Sequence, residues 1–89
     1  MVVMVGVDVH KDTHCAVAVD EAGRQVGEAV TVRATDAGHR RLLVWADRSF
    51  ADARVVFAVE DCRHVSGRLE RALLTAGCTV VRVPPKLMA

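Results

Sequence analysis

At 89 residues the chain has room for one small domain, and 52% apolar against 26% charged residues places it among globular rather than disordered sequences. A formal net charge of +1 excludes a global basic field for nucleic acid, so any such contact falls to local clusters such as Arg40-Arg41 or Arg63-His64. The N-terminal apolar stretch is too short for a membrane span and lacks a basic leader region. Cys15, Cys62 and Cys78 are widely spaced and read as free thiols of a cytoplasmic protein.

Val3 to Val9 is nearly continuously apolar, which predicts a strand buried on both faces in the middle of a sheet. Its run is interrupted by Asp8, an acid whose removal from water must be compensated by a cation, a metal or hydrogen bonds. After the polar turn at His10 to Asp12, Thr13, Cys15, Val17 and Val19 alternate with His14, Ala16, Ala18 and Asp20, the pattern of a second strand. Glu21-Ala22-Gly23-Arg24 reads as a hairpin turn, and Gln25 to Val32 as a third strand closing an antiparallel meander.

Thr35 or Asp36 caps a helix running from Asp36 to Ser49, with Leu42, Leu43, Ala46 and Phe50 on one face and Trp45 beside them as packing. Arg54 opens a fourth strand that ends, like the first, in an acid, Glu60. Beyond the loop Asp61-Cys62-Arg63-His64, the positions Val65, Leu69, Leu73 and Ala76 hold helical spacing from Val65 to Ala76, where Gly77 ends the helix. Cys78 to Val83 is a short fifth strand stopped by Pro84-Pro85.

The order β-β-β-α-β-α-β predicts an α/β fold with a mixed five-stranded sheet of spatial order 3-2-1-4-5 in a single domain. Right-handed crossovers then place both helices on one face. The opposite face should need a cover, and self-association as a symmetric dimer is the expectation.

The same order brings Asp8 and Glu60 side by side at the C-terminal ends of adjacent parallel strands, where open α/β sheets hold their ligands. Two neighbouring carboxylates favour a proton or a divalent cation, and an all-oxygen donor set selects Mg2+ or Mn2+ for phosphodiester chemistry. A turn-capping Asp8 and a solvated Glu60 remain the plain alternative at this point. His10 and His14 have zinc-pair spacing but flank a turn. Lys11, Arg63 and His64 are candidates for phosphate contact, and Asp61 reads as a loop residue rather than a third ligand.

Four segments, Val5-Gly6-Val7-Asp8-Val9-His10-Lys11, Val59-Glu60-Asp61-Cys62-Arg63-His64, Leu69 to Gly77 and Val81 to Met88, together resemble the N-terminal part of the DEDD transposases of bacterial insertion sequences, the insertion sequence 110 family. The resemblance implies a RuvC-like, ribonuclease-H-like fold over residues 1–89 and a bacterial cytoplasmic enzyme that cleaves and transfers DNA strands with magnesium. Asp8 and Glu60 match the family's first two acids. The last two, and a further domain with a serine nucleophile, are expected beyond Ala89, so the segment alone is expected to be a truncated catalytic domain, inactive and weak in metal binding. A structured guide RNA is a partner the resemblance implies. Two other readings compete: a non-catalytic dimerisation or interaction module, and an actin-like or sugar-kinase-type ATPase. The latter requires Gly and Ser or Thr after the first acid, where Val9-His10-Lys11 stands.

Overall fold

The computed structural model describes residues 1–84, apart from the side chains of Arg63 and His64. The elements are β1 (Val2–Val9), β2 (Thr13–Val19), β3 (Val30–Arg33), α1 (Asp36–Ser49), β4 (Arg54–Glu60), α2 (Arg63–Thr75) and β5 (Thr79–Val83). They form one five-stranded sheet of order β3-β2-β1-β4-β5. β1 pairs antiparallel with β2 and parallel with β4, β2 antiparallel with β3, and β4 parallel with β5. The expected order and strand directions are those observed. Pro85 lies outside the described residues.

Local chemistry sets the boundaries. At the β2 hairpin end, Asp20 Oδ1 accepts hydrogen bonds from the backbone N–H groups of Ala22 (2.9 Å) and Arg24 (3.0 Å), and Gly23 takes the left-handed φ of 82° that the turn demands. The third strand is shorter than its apolar alternation suggests. Gly27 adopts φ 70°, which breaks the extended backbone, and before Val30 the stretch keeps a single bridge, Gln25 to Val19.

α1 is capped by Thr35, whose side chain accepts from the Gly38 N–H at 3.1 Å. Gly38 itself lies against the end of β3: a Cβ there would stand 1.8 Å from the Arg33 carbonyl oxygen, so only glycine lets the helix start this close to the sheet. α2 begins two residues earlier than its apolar stripe and ends in a Schellman arrangement. The N–H of Gly77 donates to the Leu74 carbonyl and that of Cys78 to the Leu73 carbonyl, both at 3.0 Å.

Both helices lie on one face of the sheet. Val3, Val5, Val7 and Val9 of β1, Ala16 and Ala18 of β2, and Phe57 and Val59 of β4 form a single core with Leu42, Ala46 and Phe50 from α1 and Leu69 and Leu73 from α2. Trp45 packs edge-on to Phe50, ring centroids 5.4 Å apart, as expected for a packing residue. Burying each large side chain contributes roughly 1.5–3 kcal/mol, so this face holds the fold together.

The expectation that β1 is buried on both faces fails. Val2 and Met4 on its other face remain 38% and 41% exposed, and Val81 of β5 on that face 45%. A run of valines looks the same in sequence whether one face is covered or two. Here the helices bury only the odd-numbered positions of β1.

Candidate functional site

Side chains alternate along a strand, so the even-numbered residues of β1 and β4 share the face that carries no helix among the described residues. β1 and β4 run parallel in a register that pairs Val7 with Val59. One step further, Asp8 and Glu60 stand beside each other on this open face, with their strands at the spacing of about 4.8 Å typical of neighbours in a sheet. Both lie at the C-terminal ends of the two central parallel strands.

The acids differ in surroundings. The Asp8 side chain is 58% exposed, and its Oδ2 lies 3.1 Å from Nε2 of His10. Glu60 is half-buried, flanked on its other side by Val83 of β5. Past Glu60 the chain is held by the Asp61 N–H donating to the Val83 carbonyl at 2.8 Å and the Cys62 N–H donating to the Glu60 carbonyl at 2.9 Å. These bonds fix the strand end that presents the carboxylate.

Behind the acids the floor is low. Gly6 pairs with Ala58 two residues back, and a Cβ built at Gly6 would meet only the Val17 carbonyl oxygen, at 3.9 Å. No side-chain atom comes within 4 Å of that position, so the floor beside Asp8 is low at Gly6. Two oxygen-bearing side chains on an accessible face suit a hard divalent cation such as Mg2+ or Mn2+, which retains several waters and needs only a few carboxylates. Among the described residues no group of three or more His, Cys, Asp or Glu side chains converges. Asp61 is exposed in its loop and does not join Asp8 and Glu60.

The structure separates the two histidines whose spacing suggested a zinc pair. His10 stays with Asp8, whereas His14 turns to the covered face and is 1% exposed. Lys11 is exposed at the β1–β2 turn and borders a cleft on the helix side of the sheet. Arg63 and His64 open α2, and their side chains lie outside the described residues. The contact of His10 with Asp8 was missed at the level of sequence. Its signal is the i, i+2 spacing, which puts the two on one side of an extended chain. All three cysteines are free and half-buried.

A family model described as Transposase, that of the insertion sequence 110 DEDD transposases, matches residues 5–89. Among solved structures, RuvC of T. thermophilus in complex with a Holliday junction substrate superposes with a TM-score of 0.65 at 18% sequence identity, over 97% of this chain and 66% of the RuvC chain. The chain therefore spans a little less than two thirds of the length of that RuvC chain. At this identity the likeness shows the fold, which is RuvC-like and hence ribonuclease-H-like. No curated protein matches the sequence.

Proposed function

Because the chain belongs to the family of insertion sequence 110 DEDD transposases, we propose that Asp8 and Glu60 supply half of a divalent-metal site that cleaves and transfers DNA strands. The observation that carries this reading is their placement, side by side on the open face at the ends of β1 and β4. Two neighbouring carboxylates repel each other, and a shared divalent cation removes that repulsion.

Bound Mg2+ or Mn2+ activates an attacking oxygen and stabilises the leaving one in phosphodiester chemistry. The residues of this chain hold and orient. β1 and β4 fix the separation of the two carboxylates, the His10 imidazole steadies Asp8, and the low floor at Gly6 and Ala58 admits the scissile strand. Two carboxylates fill only part of such a coordination shell. The remaining ligands, and the rest of the catalytic domain of which residues 1–89 are the N-terminal part, come from other polypeptide of the transposase.

In a transposase carrying this segment with its remaining ligands, Asp8→Ala and Glu60→Ala are each expected to abolish Mg2+-dependent strand cleavage and leave the circular dichroism spectrum unchanged. Cleavage by both variants at the wild-type rate would refute the assignment. Residues 1–89 alone should show no cleavage and only weak Mg2+ binding.

The partner of this site is DNA, and a guide RNA is part of the reading through family membership alone. No helix among the described residues is long and apolar enough to cross a membrane, and a bacterial cytoplasmic setting is part of the reading through family membership alone. Two copies associate through the open face, where Val2, Met4 and Val81 leave apolar surface. Sedimentation at micromolar concentration should show a dimer; monomer alone would remove this part of the reading. A purely structural module has no use for a paired, accessible set of acids, and the family match sets the ATPase reading aside.

A further inference from the structure

On the covered side of the sheet, His14 from β2 and His39 from α1 stack nearly parallel, ring centroids 5.6 Å apart and planes 10° from one another. They are 1% and 3% exposed, yet Nδ1 of His14 and both ring nitrogens of His39 have no hydrogen-bond partner. Buried polar atoms are almost always paired, so three orphaned ones call for something that supplies partners. Both imidazoles line a cleft of about 320 Å³ between the β1–β2 turn and α2, which Lys11, Arg68 and Arg71 also line.

The charges decide what fits. No acid lines this cleft, and among the described residues Lys11, Arg68 and Arg71 make no ion pair. A metal cation would meet three permanent positive charges. Stacked parallel rings, moreover, set their nitrogens side by side rather than converging on a single ion. An anion meets the reverse: cationic donors at the rim and imidazole nitrogens at the floor that gain partners when it enters. Burial disfavours the charged form of His39, Asp36 opposes this and Arg68 adds to it, and an entering anion would offset the effect of Arg68.

We propose that this cleft binds a backbone phosphate of DNA, with Lys11, Arg68 and Arg71 as the charged contacts and His14 and His39 as buried hydrogen-bond partners. The assignment to DNA rests on the transposase reading, whereas the anion chemistry stands on the cleft alone. Lys11 lies three residues beyond Asp8, and α2 follows Glu60 after two residues, so acids and cleft occupy the same end of the sheet on opposite faces. A strand with its scissile phosphate at the carboxylates passes over the β1–β2 turn to place another phosphate in the cleft. The turn acts as a saddle, and binding on its helix side sets where the strand is cut.

The test uses the 89-residue chain, with inorganic phosphate and a short single-stranded DNA as probes, read by the imidazole NMR resonances and by fluorescence anisotropy. Both probes are expected to shift the His14 and His39 resonances in the wild type. Arg68→Gln/Arg71→Gln, two exposed positions whose exchange leaves the core intact, should weaken DNA binding by about tenfold or more at low salt, the size expected for lost charge-assisted hydrogen bonds. Lys11→Gln should weaken it less. Histidine resonances unmoved by either probe, or a double variant that binds DNA like the wild type, would overturn the cleft. Phosphate that binds while DNA moves neither histidine would overturn the assignment to DNA, as would tighter binding of an RNA of the same sequence. None of these failures touches Asp8 and Glu60, whose role is read separately by metal-dependent cleavage.

Discussion

The two faces of the sheet are built from the same strands and do opposite things. On the covered face, Val3, Val5, Val7, Phe57 and Val59 meet Leu42, Leu69 and Leu73 and are almost wholly removed from water. The open face holds Met4, Gly6, Asp8, Ala58 and Glu60, a mixture too small and too polar to make a core. The core and the candidate site are thereby allotted to alternate residues of single strands. Each can be altered without the other, provided a substitution respects the parity of its position.

The sharpest way to break this comparison is to truncate a residue on each face. Leu69→Ala or Leu73→Ala should cost about 2–5 kcal/mol by chemical denaturation, a large part of the total for a small domain. Met4→Ala, already 41% exposed, should cost under about 1 kcal/mol. Equal losses at Met4 and Leu69 would mean that the open face carries as much of the stability as the helical one.

Gly38 sharpens the comparison at the seam of helix and sheet. Gly38→Ala brings a methyl into the Arg33 carbonyl, and the helix must lift away from β3, at a cost of about 1–3 kcal/mol. A thermal midpoint unchanged by this substitution would show that α1 does not seat on Arg33 as described.

The smallest effect is one of pH, and it belongs to the covered face alone. Burial lowers the pKa of His14 below 6.5, and the neighbouring His39 and His10 lower it further. Burial also lowers that of His39, with Arg68 reinforcing and Asp36 opposing. The unfolded chain therefore takes up protons at both imidazoles as pH drops through 6.5, while the folded chain resists. Stability should be level above that pH and decline from it towards the lowered folded values. The contribution of Glu70, held below 4.5 by its hydrogen bonds from Arg82, is lost only in more acid solution. Urea midpoints that match at pH 7.5 and 5.5 would contradict buried neutral histidines.

The topology was legible in the sequence because each element carries its own period, two for the strands and about 3.6 for the helices. Gly23 and Gly77 stand where the backbone turns left-handed, as read. Asp8 and Glu60 were legible because an acid closing an apolar run is conspicuous, and strand order alone makes them neighbours. What stayed hidden depends on contacts between distant segments. The bare face of β1 is set by where helices dock, the need for glycine at position 38 by the approach of α1 to Arg33, and the end of the third strand by the φ of Gly27. His14 and His39 lie on different elements, and only the folded sheet stacks their rings. No periodicity in the chain announces that meeting.

The parallel pairing of β1 with β4, described above as the middle of the sheet, also sets an order of events during synthesis. Val2 pairs with Arg54 and Val7 with Val59, so β1 must wait through two further strands and a helix before this partner exists. The β1–β2 hairpin closes locally and early, yet the other edge of β1 stays unpaired until β4 leaves the ribosome. Through that interval an apolar strand displays a free row of backbone donors and acceptors, open to pairing with another nascent chain. Crowded translation of one messenger therefore exposes this protein to misassembly at β1, before either carboxylate has a neighbour.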